Sequence, residues 1–232
     1  MRVGPTEHEI LLMRDTFNWS DISGVPSAPG IYAWYYLPEV PDYDLTTAIE
    51  RVQALQKAGD RKNATATIEC FLESTIFQYF QEKPFSASLR GPLKPTYEGV
   101  LNHKPSMSGS LIDRLLEDPT RLRTIKDVLE SSAPNFSSPL YIGMSEDLNT
   151  RLLQHKRFIE KYREQLSSKP SAPNKLTNGE RGDQSFALEV ATRGMPPSRL
   201  FAKIQVIADD GHRYVDLENI LNRIHYPLLG RN

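Results

Sequence analysis

Between Pro29 and Tyr36 the chain reads PGIYAWYY, and strict alternation sorts Tyr32, Trp34 and Tyr36 to one side of an extended segment and Ile31, Ala33 and Tyr35 to the other. The pattern predicts a strand, entered through the turn-rich DISGVPSAPG and stopped by Pro38 and Pro41. A short opening helix is predicted around Glu7 to Arg14. From Asp44 the period lengthens: Ala48, Ile49, Val52 and Leu55 form one helical stripe, and Ile68, Phe71, Leu72, Thr75, Ile76, Tyr79 and Phe80 form a stronger one. A proline-broken stretch from Lys83 to Ser110 then leads to helical patterns over 111–116 and 122–129, so that 42–136 reads as an all-helical block.

At SSPLYIGMSEDL the strand character returns with Leu140, Tyr141 and Ile142, Gly143 marks a turn, and Ser145 with Glu146 and Asp147 starts a helix. That helix carries Leu148, Leu152, Ile159 and Tyr162 inward, while its outer side is basic, with Lys156, Arg157, Lys161 and Arg163 only partly balanced by Glu160 and Glu164. Residues 167–185 are rich in Pro, Ser, Asn and Gly and read as a loop. A further strand is predicted at Phe201 to Ile207, and Leu217, Ile220, Leu221 and Ile224 make the inward face of a last helix that ends before Pro227.

Composition narrows the class. A chain of 232 residues with 39% hydrophobic content can build one generous domain or a small domain with an appendage. Its formal net charge is -1, so contact with phosphates must come from a local patch, which argues against a protein that coats nucleic acid. The single cysteine, Cys70, excludes an internal disulfide; it falls on the apolar side of a helical run, where a buried side chain and a reducing, cytoplasmic setting are expected. No stretch approaches the roughly 18 apolar residues of a membrane span, and the N-terminal apolar run is too short for a signal peptide, so no membrane partner is expected. His8, His103, His212 and His225 have no ligand spacing with one another or with Cys70, so no structural zinc site is expected.

The candidate chemistry lies where the two aromatic strands and two helices are set in order. Gly30-Ile31-Tyr32 stands on one strand and Tyr141-Ile142-Gly143 on another; Arg151 follows eight residues after Gly143, His155 one turn later, and Glu218 lies on the last helix with Pro227 nine residues on. Singly, each is an ordinary residue: half-buried strand tyrosines, a solvated helix face, a surface acid. In this order they resemble the GIY-YIG nuclease family, whose two tripeptides are present letter for letter. The likeness covers residues 22–38 and 139–232.

The resemblance implies an α+β fold, a small antiparallel β-sheet flanked by helices, in which the tyrosine strands are neighbours. Residues 1–41 and 137–232 would form that nuclease domain, and 42–136 would be an all-helical insertion at the hairpin tip, used for recognition or dimerisation. Loops tolerate such insertions because closure entropy grows slowly with length. The implied activity is Mg²⁺-dependent DNA endonuclease cleavage, with Mn²⁺ able to substitute, leaving 5′-phosphate and 3′-hydroxyl ends. Restriction or anti-phage defence is the setting favoured, with structure-specific repair or a mobile-element nuclease next. The rival is a non-catalytic module on the same fold that binds nucleic acid or a partner protein.

By the same resemblance Tyr32 is the general base, Tyr141 positions phosphate or water, Arg151 stabilises the transition state, His155 tunes Tyr32 and contacts phosphate, and Glu218 holds the metal. The two tyrosines can exchange roles. A tyrosine with pKa about 10 is a poor base at neutral pH unless positive charge or a hydrogen bond assists it, and a single carboxylate suffices for a largely hydrated Mg²⁺. Lys156, Arg157 and Lys161 are the candidate DNA contacts. Relatives end on an Asn three positions after the proline, where this chain has Gly230; Asn232 is the accessory candidate two residues later. Met144 stands where many relatives carry Lys. A single site cuts one strand, so double-strand cleavage calls for a homodimer or two successive cuts.

Overall fold

The computed structural model describes residues 15–82, 84–92, 94–103, 107–168, 182–207 and 214–230. The expected opening helix, most of the 167–185 loop and Asn232 lie outside these residues. In chain order the elements are β1 (Thr16–Asn18), a 3-10 turn (Trp19–Gly24), β2 (Gly30–Tyr36), α1 (Asp42–Lys57), α2 (Arg61–Leu72), β3 (Phe85–Gly91), β4 (Lys94–Leu101), α3 (Gly109–Glu117), α4 (Arg121–Phe136), β5 (Tyr141–Ser145), α5 (Leu148–Ser168), α6 (Gly182–Thr192), β6 (Leu200–Val206) and α7 (Tyr214–His225). The protein is α+β, and it divides into two units, residues 1–37 with 131–232 and residues 38–130. Among the described residues no helix is long and apolar enough to cross a membrane.

The first unit is built on an antiparallel sheet of order β1-β6-β2-β5. β2 is an inner strand, with Tyr32 opposite Gly143 on one side and Ile204 on the other. Alternation therefore places Tyr32, Trp34, Tyr36, Tyr141, Leu200, Ala202 and Ile204 on one face of the sheet. All seven are buried, Trp34 and Tyr36 completely. α5 supplies Leu148, Leu152, Ile159 and Tyr162 to the core, and α6 adds Phe186, Ala187 and Val190. α6 was not anticipated, because its buried positions follow directly on a loop-like composition.

The opposite face holds Ile31, Ala33, Ile142 and Met144, against which Leu221 of α7 packs. Here the expectation for the last helix is corrected: Leu221 is its inward residue, whereas Leu217, Ile220 and Ile224 are exposed. After α7, Tyr226 turns through a positive φ of 44°, and the amide of Leu229 donates to the carbonyl of Leu140 at 2.7 Å, tying the chain end to the entry of β5.

The second unit has its own core, where Leu45, Ile49 and Val52 of α1 meet Ile68, Phe71 and Leu72 of α2 and Ile112, Leu115 and Leu116 of α3. Asp60 caps α2 by accepting from the amide of Asn63 at 3.1 Å, and Ser108 caps α3 by accepting from that of Leu111 at 3.3 Å. Two expectations are corrected. The block is not all-helical, since β3 and β4 pair as an antiparallel hairpin where the prolines suggested a broken loop. Cys70 is exposed: the buried stripe of α2 is Ala64, Ile68, Phe71 and Leu72, and a residue two positions after Ile68 points away from it.

Candidate active site

Two glycines let the aromatic strands carry what they carry. A Cβ at Gly143 would stand 2.6 Å from the Tyr32 hydroxyl, 2.7 Å from its Cζ and 2.9 Å from Cε1 of Tyr141. The Tyr32 ring therefore lies across the bare backbone of its cross-strand partner. At Gly30 a Cβ would come 2.2 Å from the carbonyl oxygen of Gln205 in β6 and 3.0 Å from the Leu148 side chain. The glycine of each tripeptide is thus a packing requirement of this sheet, whatever the site does.

α5 brings the other groups. Its first turn is fixed by Asp147, whose carboxylate accepts from the Thr150 amide at 3.1 Å, a bond that holds its pKa below the usual range. The Leu148 amide donates to Ala28 at 3.0 Å, and the Asn149 side chain donates to Ser23 and Val25, so the helix start is pinned to the loop that precedes β2. Arg151 and His155, one turn apart, then face the tyrosine side of the sheet. The Tyr32 hydroxyl lies 2.9 Å from Nε2 of His155, and Nε of Arg151 donates to it at 3.3 Å. Tyr141 stands beside the pair, its ring centroid 6.1 Å from that of Tyr32 and 5.6 Å from that of His155. Phe186 of α6 closes the cluster at 4.9 Å from Tyr141 and 5.3 Å from His155.

The electrostatics follow from burial. His155 has no exposed surface, and its pKa falls from 6.5 to about 3, first because burial penalises the imidazolium and second because Arg151 is positive. It is neutral at physiological pH. Its burial leaves no surface for a phosphate, so of the two roles the resemblance implied for it, only the tuning of Tyr32 fits. Tyr32 is itself 1% exposed and Tyr141 8%. Arg151, half-buried, is the cluster member nearest solvent, and its Nη1 donates to the side-chain oxygen of Gln154 at 3.2 Å.

The structure thus brings Tyr32, Tyr141, Arg151 and His155 together on one face of the sheet. Glu218 is half-buried on α7, a helix that packs through Leu221 against the face bearing Ile31 and Ile142. Among the described residues no group of three or more His, Cys, Asp or Glu side chains is placed to hold a metal. What the donor set offers Mg²⁺ is one carboxylate, enough for an ion that keeps most of its water but no protein cage. Of the basic residues, Lys156 donates to the Trp19 carbonyl at 3.1 Å and lies 5.1 Å from the centre of that ring, so its ammonium is held by the protein. Arg157 and Lys161 are exposed.

Sequence reasoning missed Gln154 and Phe186. Gln154 was detectable, since a polar residue three positions after an arginine on a helix is within reach of it. Phe186 was not, because nothing local says that its helix crosses the tyrosine face. In comparisons with known proteins, no family model, no curated protein and no solved structure matches the chain.

Proposed function

We propose that the protein is a DNA endonuclease that hydrolyses phosphodiester bonds by tyrosine-assisted attack of water, dependent on Mg²⁺ and working in restriction or anti-phage defence. The observation that carries this reading is the Tyr32 hydroxyl, held 2.9 Å from a neutral imidazole and 3.3 Å from a guanidinium, at the junction of the two tripeptide strands. A guanidinium N–H can only donate, so the phenol oxygen accepts from Arg151. His155 is neutral, so one ring nitrogen carries the proton and the other accepts, and the tautomer sets the direction of its bond to the Tyr32 hydroxyl. This arrangement supports two roles. Arg151 favours the phenolate form of Tyr32 by charge and hydrogen bond, and His155 holds the phenol oxygen in place without acting as a base, because burial holds its pKa too low. Glu218 would hold the metal, which when bound supplies positive charge against that growing on the phosphoryl oxygens.

A second reading, a non-catalytic module on the same fold, is favoured by the burial of Tyr32 and His155. Supercoiled plasmid and phage DNA incubated with Mg²⁺ separate the two. Wild-type protein is expected to nick. Tyr32→Phe and Glu218→Ala are each expected to lose at least ~100-fold in rate, the scale of a missing acid–base or charge-stabilising group. Equal nicking by all three proteins removes the enzyme reading. Retention of DNA without cleavage by any of them supports the module.

A further inference from the structure

The hairpin of β3 and β4 stands out as a two-stranded sheet that shares no ladder with any other described strand. Its register pairs Phe85 with Leu101, Ala87 with Gly99 and Leu89 with Tyr97. Those residues lie on one face, and Ser86, Ser88, Glu98 and Val100 lie on the other. The first face is apolar and open to solvent: Phe85 is 51% exposed, Leu89 71%, Tyr97 60% and Leu101 62%.

Two magnitudes favour cover for this face. An isolated two-stranded hairpin is at best marginally stable in water. The exposed parts of these four side chains make an apolar patch on the order of 500 Å², at about 200 Å² for each whole aromatic residue, as large as the largest patch a monomer ordinarily shows. We propose that the occupant is a second copy of this chain, the two hairpins packing apolar face to apolar face across a two-fold axis.

A flat face of alternating large side chains is complementary to itself, and two such hairpins stack as a small four-stranded sandwich. The patch would remove about 1,000 Å² from water between two copies, the lower bound for a specific interface. Charge opposes it only weakly: the chain's formal net charge is -1, and Arg90, Lys94 and Glu98 leave the hairpin with a single net positive charge. DNA is the poorer fit, because the face offers apolar carbon where a groove-reading ribbon presents donors and cations. The inference stands independently of the nuclease reading.

Sedimentation of the full chain at micromolar concentration tests it. The wild-type protein is expected at twice 26.4 kDa. Leu89→Lys combined with Leu101→Lys, on side chains that already face water, is expected to weaken self-association at least ~30-fold with the far-ultraviolet spectrum unchanged. Ser86→Lys, on the polar face, is expected to leave the dimer intact. Hydrogen exchange gives a readout without substitution: amides of 85–101 gain protection as wild-type concentration rises. A wild-type chain at 26.4 kDa throughout, a double variant that still dimerises, or exchange independent of concentration overturns the proposal, as does loss of DNA retention by the double variant of a monomeric protein.

Discussion

Alanine at Gly30 is expected to destabilise the protein by about 3 kcal/mol or more, and alanine at Gly143 by about 2–3 kcal/mol, the upper end of what one added methyl costs in a packed core. At Gly30 the new carbon meets the Gln205 carbonyl at 2.2 Å, and a backbone oxygen locked in the β2–β6 ladder cannot move without opening that ladder. At Gly143 it meets three atoms of two buried rings between 2.6 and 2.9 Å. Tyr32 can yield only by swinging its hydroxyl away from His155 and Arg151. Gly143→Ala is therefore expected to lose activity as Tyr32→Phe does while keeping the phenol. Urea denaturation measures the first effect, with Gly24→Ala as control: nothing lies within 4 Å of a Cβ there, and a change within ~0.5 kcal/mol is expected. Wild-type stability in Gly143→Ala would mean that the Tyr32 ring does not cross β5.

Acidification is expected to destabilise the protein through His155. The folded pKa is about 3, against about 6.5 in the unfolded chain, so as pH falls the unfolded state takes up the proton first. The stability this imidazole contributes is complete above pH 6.5 and is lost progressively between there and pH 3. At about 1.4 kcal/mol per pH unit of full proton difference, the loss from pH 7 to pH 5 is roughly 2 kcal/mol. His155→Gln retains an acceptor for Tyr32 but cannot titrate, so its unfolding free energy is expected to fall by that much less over the same interval. Parallel wild-type and variant curves would show that the imidazole is hydrated or already protonated.

The parts of the fold that could be read from the chain are those whose burial is periodic. β2 and β5 were found because alternation puts aromatic residues on one side, and α5 because Leu148, Leu152, Ile159 and Tyr162 recur at helical spacing. His155 fills the gap in that same stripe, which is why it is fully buried and not part of the solvated face that carries Arg157. The hairpin was lost because Pro84, Pro92 and Pro95 punctuate it. Proline is tolerated on an edge strand, and a two-stranded sheet consists only of edges. The reading of α7 failed for the opposite reason: a clear apolar stripe, Leu217, Ile220, Leu221 and Ile224, meets a sheet face that accommodates only Leu221.

Local spacing alone determined which side chains share a face: Tyr32 with Trp34 on one strand and Arg151 with His155 on one helix. Gly143, expected to mark a turn, lies inside β5, and the ring of its cross-strand neighbour Tyr32 requires it to be bare. Tertiary packing decided which of those faces meet. It set the Tyr32 hydroxyl on the imidazole of His155, closed Phe186 over His155 and Tyr141, and packed α7 through Leu221 on the other face of the sheet. The physical reason is that periodicity records only that a face is buried. Which side of a sheet a helix then covers depends on the apolar area left there by every other element, and no single segment carries that information.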